Sequence, residues 1–71
     1  MQDIQKRLGT RIRILRQKNG WSQEEFAGRC GVHRSYMGAV ERGEKNLTLA
    51  TLHILAKTLD TTISSLLRGI A

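Results

Sequence analysis

Few side chains in this 71-residue chain have types and spacing suited to covalent or metal chemistry. Cys30 and His33 form a C-x-x-H pair and His53 is the other histidine, which falls short of the four ligands of a structural zinc site. There is no glycine-rich phosphate loop, no nucleophile set beside a base, and no carboxylate pair away from helix starts and surface positions. No enzyme activity, metal, cofactor or small-molecule ligand is expected. Cys30 is the single cysteine, so no internal disulfide can form, and it reads as a small buried apolar residue.

The chemistry these residues do support is recognition of a polyanion. Twelve Lys/Arg against six Asp/Glu give a net charge of +6, a field that attracts nucleic acid. Lys6, Arg7, Arg11, Arg13, Arg16 and Lys18 crowd the start of the chain, where Asp3 is the only acid. Further on, GVHRSYMGAVERG (31–43) places Gly38 in the middle of a helical pattern, at a cost of about 0.8–1.0 kcal/mol relative to alanine. Small residues at Gly38 and Ala39, one turn beyond Arg34 and Ser35, would let a helix lie close to base pairs. Arginine suits bidentate contact with guanine, serine can meet several bases, and the Ala39 methyl can touch a thymine methyl. Arg34, Ser35, Gly38 and Ala39 are therefore the expected base contacts.

The elements that must position them follow from hydrophobic spacing. Ile4, Leu8, Ile12 and Leu15 mark one face of a helix over Ile4–Lys18, stopped by Asn19-Gly20. Ser22-Gln23-Glu24-Glu25 is a capping box, with Ser22 on the Glu25 N–H and the Glu25 carboxylate reaching back. Phe26, Ala27 and Cys30 face inward on this second helix, and Gly31 ends it. Val32 and Met37 staple the entry to a third helix around His33, a weak N-cap. Met37 and Val40 continue its inner face, and Gly43 ends it at about residue 42. Thr48 caps a fourth helix with Leu49, Leu52, Leu55, Ala56 and Leu59 inward; Thr62 caps a fifth with Ile63, Leu66 and Leu67. The core is expected from Leu8, Ile12, Leu15, Phe26, Ala27, Val32, Val40, Leu52, Ala56 and Leu59. Nothing reads as a strand, and no linker divides residues 1–71. Every apolar run is too short to span a membrane, and the N-terminus lacks the continuous apolar region of a secretory signal, so a cytoplasmic protein is expected.

Two short helices joined by a tight turn at Gly31 form a helix-turn-helix at about residues 22–42, the second helix entering the major groove of DNA. Tyr36, Arg42, Lys45 and Asn46 ring that helix and are expected to contact phosphates, giving affinity without sequence information. His33, poor as a cap, is assigned to a phosphate as well. The C-terminal third carries more apolar residues than one helix face requires, and Ile54, Leu55, Ile63, Leu66, Leu67 and Ile70 are expected to form a dimer surface.

The chain resembles the phage-repressor-like, or XRE/Cro-type, helix-turn-helix regulators. Arg16, Gly20-Trp21-Ser22-Gln23-Glu24-Glu25-Phe26-Ala27, Gly31-Val32, Tyr36-Met37, Val40-Glu41-Arg42-Gly43, Leu49, Leu52, Ala56 and Leu59 all fall in register. Leu47 and His33 depart from it, standing where the family often has proline and a Ser or Thr cap. The resemblance implies an all-α, compact five-helix lambda-repressor-like domain that dimerises on a palindromic operator. Small restriction-modification controller proteins are the subgroup it is most similar to. The resemblance also implies a phosphate contact at Gln23 and a salt bridge between Arg16 and Glu41. An acid on an element that meets DNA needs a cationic partner, so Glu41 is expected to orient the helix and not to read bases.

A different class remains open: an antitoxin or assembly module of the same fold whose target is a partner protein. Salt separates the two, since binding through several phosphates weakens steeply with added salt and an apolar interface does not. RNA is disfavoured for want of an aromatic stacking platform.

Overall fold

The computed structural model describes residues 2–70. They form α1 (Gln2–Lys18), α2 (Gln23–Cys30), α3 (Arg34–Glu41), α4 (Leu49–Thr58) and α5 (Ile63–Leu67), with no strand among the described residues. Residues 1 and 71 of the single domain expected from the sequence lie outside that range.

Three helices begin on side-chain caps. The hydroxyls of Ser22, Thr48 and Thr62 accept from the N–H groups of Glu25, Thr51 and Ser65 at 2.9, 3.1 and 3.0 Å, each satisfying one of the donors a helix start leaves open. The reciprocal half of the capping box does not form. Glu25 turns instead to Arg29, four residues on, which donates from Nη2 at 3.2 Å. His33 holds the extended conformation of an N-cap but makes no capping bond. Gly31, at φ +75°, ends α2 with its N–H turned back onto the helix carbonyls, a left-handed step that favours glycine.

The helices pack in a ring: α1 on α3, α3 on α2, α2 on α4, α4 on α5 and α5 back on α1. Inside the ring, Ile12, Phe26, Met37, Leu55 and Leu66 are fully buried. Leu15 and Val32 are only half-buried against this core, and Leu47 packs against it as well. Leu49 departs from expectation. As the first residue of α4 it has no preceding turn to lie on, and it is 74% exposed.

α1 serves two neighbours by different means. Toward α3 its backbone comes into contact at Gly9, where a Cβ would stand 2.6 Å from the carbonyl oxygens of both Val40 and Glu41. Gly43 closes the same crossing, for a Cβ there would lie 2.7 Å from Lys6 Cα. Toward α5, Arg7 donates to the Ile70 carbonyl at 3.2 Å and Arg11 to those of Ser65 (3.3 Å), Leu66 (3.1 Å) and Arg68. Guanidinium groups at a carbonyl-rich helix end satisfy open acceptors and complement the dipole. Two of the cations that looked available to a polyanion are thus committed to structure.

Candidate nucleic-acid interface

α3 is fixed along its inner edge. Met37 and Val40 are buried, and Glu41, on the same side, meets Arg16 of α1 through a fork: Nε to Oε2 at 2.7 Å and Nη2 to Oε1 at 3.0 Å. The third Arg16 nitrogen, Nη1, donates to the Trp21 carbonyl at 2.9 Å, and Gln23 Nε2 adds a bond to Glu41 Oε1 at 3.2 Å. A buried ion pair persists when its geometry is good and its remaining polar atoms are satisfied. This one joins α1, the turn before α2, α2 and α3 in a single network. Trp21 stacks on Phe26 with 5.8 Å between ring centroids, and the Arg29 guanidinium lies 4.5 Å from the Trp21 ring, so that turn is held from both sides.

The first turn of α3 is free of that network: Arg34 and Ser35 are both exposed there, with no side-chain hydrogen bond or ion pair among the described residues. Gly38 and Ala39 correct the expectation. Helical spacing turns them outward, yet both are buried, Ala39 being 8% exposed. The space over Gly38 is occupied by long side chains: a Cβ would stand 3.1 Å from Arg42 Nη1 and 3.3 Å from Gln23 Oε1. The clearance at Gly38 therefore accommodates Gln23 and Arg42, and the outward surface able to meet base edges narrows to Arg34 and Ser35.

Of the six residues expected at phosphates, four divide between the flanks of α3. Gln23 and Arg42 lie over Gly38 on one side. Tyr36 is on the other, half-buried, with Lys45 Nζ 5.8 Å from its ring centroid. Asn46 accepts from Gln5 of α1, tying the loop after α3 to the first helix, and His33 is exposed at the start of α3. Arg42 is not free. Its Nε and Nη2 fork onto Glu44 at 3.0 and 3.1 Å, a pairing that raises the arginine pKa and lowers that of the carboxyl.

The expected dimer surface is also corrected. Leu55, Leu66 and Ile70 are 2%, 0% and 4% exposed because they fill this chain's own core, so they are unavailable to a second subunit. Ile63 is half-buried. Ile54 and Leu67 are exposed but line different hollows, Ile54 with Trp21, Arg29 and Lys57, Leu67 with Ile4, Leu47 and Leu52.

Gly9, Glu44 and the particular place of Arg13 within the basic cluster of α1 escape a reading of the sequence alone. Gly9 carried a usable signal: a glycine inside a helix, on the Ile12 and Arg16 face, is a cost that only close packing repays. Arg13, four residues further along α1, lines a cleft with Gln23, Gly38 and Arg42. No group of three or more His, Cys, Asp or Glu side chains able to hold a metal occurs among the described residues.

A short recognition helix, locked on its inner edge, exposed at its first turn and preceded by a capped helix across a glycine turn, defines a helix-turn-helix domain. Residues 12–66 match the helix-turn-helix family model, and the chain belongs to that family, in its XRE-type branch. It is 49% identical over 65 residues to the control protein C.SmaI of Serratia marcescens, covering 92% of this chain and 77% of that protein. The crystal structure of the restriction-modification controller protein C.AhdI from Aeromonas hydrophila superposes with a TM-score of 0.82 at 43% identity, covering 86% of this chain and 92% of that one. The biofilm regulator SinR, solved in complex with DNA, gives 0.79 at 33% identity over 84% of this chain and 97% of its own.

Proposed function

We propose that this chain is a transcriptional regulator that binds a palindromic double-stranded DNA operator as a dimer and controls restriction-modification genes. The observation that carries the reading is the two-edged α3: its inner edge is immobilised by the Arg16–Glu41 fork while Arg34 and Ser35 stand clear at its first turn. Controller proteins among the relatives support the regulatory assignment. Each subunit places α3 in one of two successive major grooves, roughly 34 Å apart. Arg34 and Ser35 read bases, and Gln23, His33, Tyr36, Arg42, Lys45 and Asn46 supply phosphate contacts. The dimer forms through the exposed apolar residues of the last two helices, Leu49, Ile54 and Leu67, together with half-buried Ile63, not through the core trio.

Selection of bound duplexes from a random DNA pool tests this. The expected outcome is a motif with two-fold symmetry, bound with a steep inverse dependence on salt. Recovery of no symmetric motif would overturn the reading, and salt-insensitive capture of a protein partner would favour an antitoxin or assembly module.

A further inference from the structure

The cations of α1 have separate fates. Arg7 and Arg11 are used on α5 carbonyls, and Arg16 on Glu41 and Trp21. Arg13 is exposed, on the α3 side of α1, with no hydrogen bond or ion pair among the described residues. It lines a cleft of about 160 Å³ shared with Arg16, Gln23, Gly38, Glu41 and Arg42. The one carboxylate in that cleft, Glu41, is compensated, since both its oxygens accept from Arg16 and one also from Gln23. Arg42 lines the same cleft, its Nη1 over the bare Cα of Gly38, while Nε and Nη2 are occupied by Glu44. The cleft is thus lined by the Arg13 and Arg42 side chains beside the paired Arg16, with no uncompensated negative charge. At roughly 30 Å³ per water it has the room of about five waters, enough for a phosphate group.

We infer that this cleft seats one DNA backbone phosphate, anchored by Arg13 from α1, and that Arg42 joins it by exchanging the Glu44 carboxylate for the phosphate. The inference rests on the DNA-binding reading above. A guanidinium fork fits carboxylate and phosphate alike, so the exchange conserves the geometry around Arg42. The Arg42–Glu44 pair is open to solvent, with side chains 61% and 56% exposed, and such pairs are easily parted. Glu44 therefore competes with the phosphate for Arg42. It acts as an internal counterion that subtracts from sequence-independent affinity and leaves base reading by Arg34 and Ser35 untouched.

The test measures dissociation constants across a salt series for the full chain on the selected operator and on an unrelated duplex of equal length. Arg13→Ala should weaken binding to both duplexes by a similar factor, on the order of tenfold at low salt, and reduce the magnitude of the salt slope by about one, with melting temperature unchanged. Arg13→Lys should keep the slope, which separates lost charge from altered folding. Glu44→Gln should tighten binding to both duplexes several-fold, and that gain should vanish in an Arg42→Ala background. An unchanged slope in Arg13→Ala overturns the anchor. A Glu44→Gln gain of equal size without Arg42 overturns the exchange. If the wild-type chain shows no salt-dependent DNA binding, the proposed function falls and takes this inference with it; if it binds and Arg13→Ala is neutral, the inference alone falls.

Discussion

Replacing Gly9 by alanine and, separately, Gly28 by alanine makes one chemical change in two helices with opposite expected outcomes. Gly28 lies in α2 with nothing within 4 Å of where its Cβ would be, so alanine there should gain up to about 0.8–1.0 kcal/mol in helix propensity. Gly9 offers the same gain but meets two carbonyl oxygens at 2.6 Å, where ordinary contact begins near 3.4 Å. These are backbone atoms with no rotamer to escape into, so α1 and α3 must part by about 0.8 Å. A gap of that size forfeits roughly a quarter to a half of the dispersion energy between the separated surfaces. Overpacking costs about 1–3 kcal/mol, and backbone contact argues for the upper end, leaving a net loss of about 2 kcal/mol after the propensity gain. For a domain of this size that lowers the melting temperature by roughly 8–16 °C. Circular dichroism melts and urea titrations with an unchanged m-value provide the assay. If Gly9→Ala melts at or above the wild type, the backbone contact between α1 and α3 is not what holds α3, and the reasoning fails.

Three further changes probe other parts of the frame. Glu41→Ala leaves the Arg16 guanidinium buried without its partner and should cost about 3–5 kcal/mol. Exchanging both residues should recover part of that loss, only part because the bonds to Trp21 and Gln23 are not reproduced; recovery of nothing would show that the pair is not the brace. His33→Ser supplies the missing cap of α3 and should stabilise by about 1 kcal/mol, read as a higher urea midpoint, whereas a lowered midpoint would mean that His33 has a structural partner. Burial pushes the Cys30 thiol above its ordinary 9.0, against a smaller opposing bond to Thr58. A raised folded-state value means stability that is fully present below about pH 9 and lost as pH rises through that value. Cys30→Ala should therefore flatten the alkaline fall in urea midpoint, and an identical fall in both proteins would count against it.

Much of the frame was legible because it is written in local terms. Ser22, Thr48 and Thr62 sit three residues before the N–H groups they cap, and the inward stripes follow helical periods that a single segment displays. The Arg16–Glu41 pair was legible only through family resemblance, since nothing local joins residues 25 apart. What escaped depends on which helices touch. Apolar excess in α4 and α5 could mean a second subunit or the chain's own interior. Leu55, Leu66 and Ile70 went to the interior because α5 closes the ring onto α1. Gly38 reads from the sequence as clearance for base pairs, but that Gln23 and Arg42 fill the space depends on how α2 lies against α3. Charge counting failed likewise at Arg7 and Arg11, whose carbonyl partners lie more than fifty residues away.

The division of α3 into a tied edge and a clear first turn bears on how such a protein can diversify. Arg34 and Ser35 hold nothing inside the subunit, so exchanging them risks no core contact, no cap and no ion pair. Surface positions of that kind usually change stability by less than ~0.5 kcal/mol when replaced. If Arg34 and Ser35 read bases as proposed, a lineage can move from one operator to another through those two positions while Gly9, Arg16 and Glu41 stay fixed. On that proposal, specificity and foldability are inherited on different residues of the same eight-residue helix.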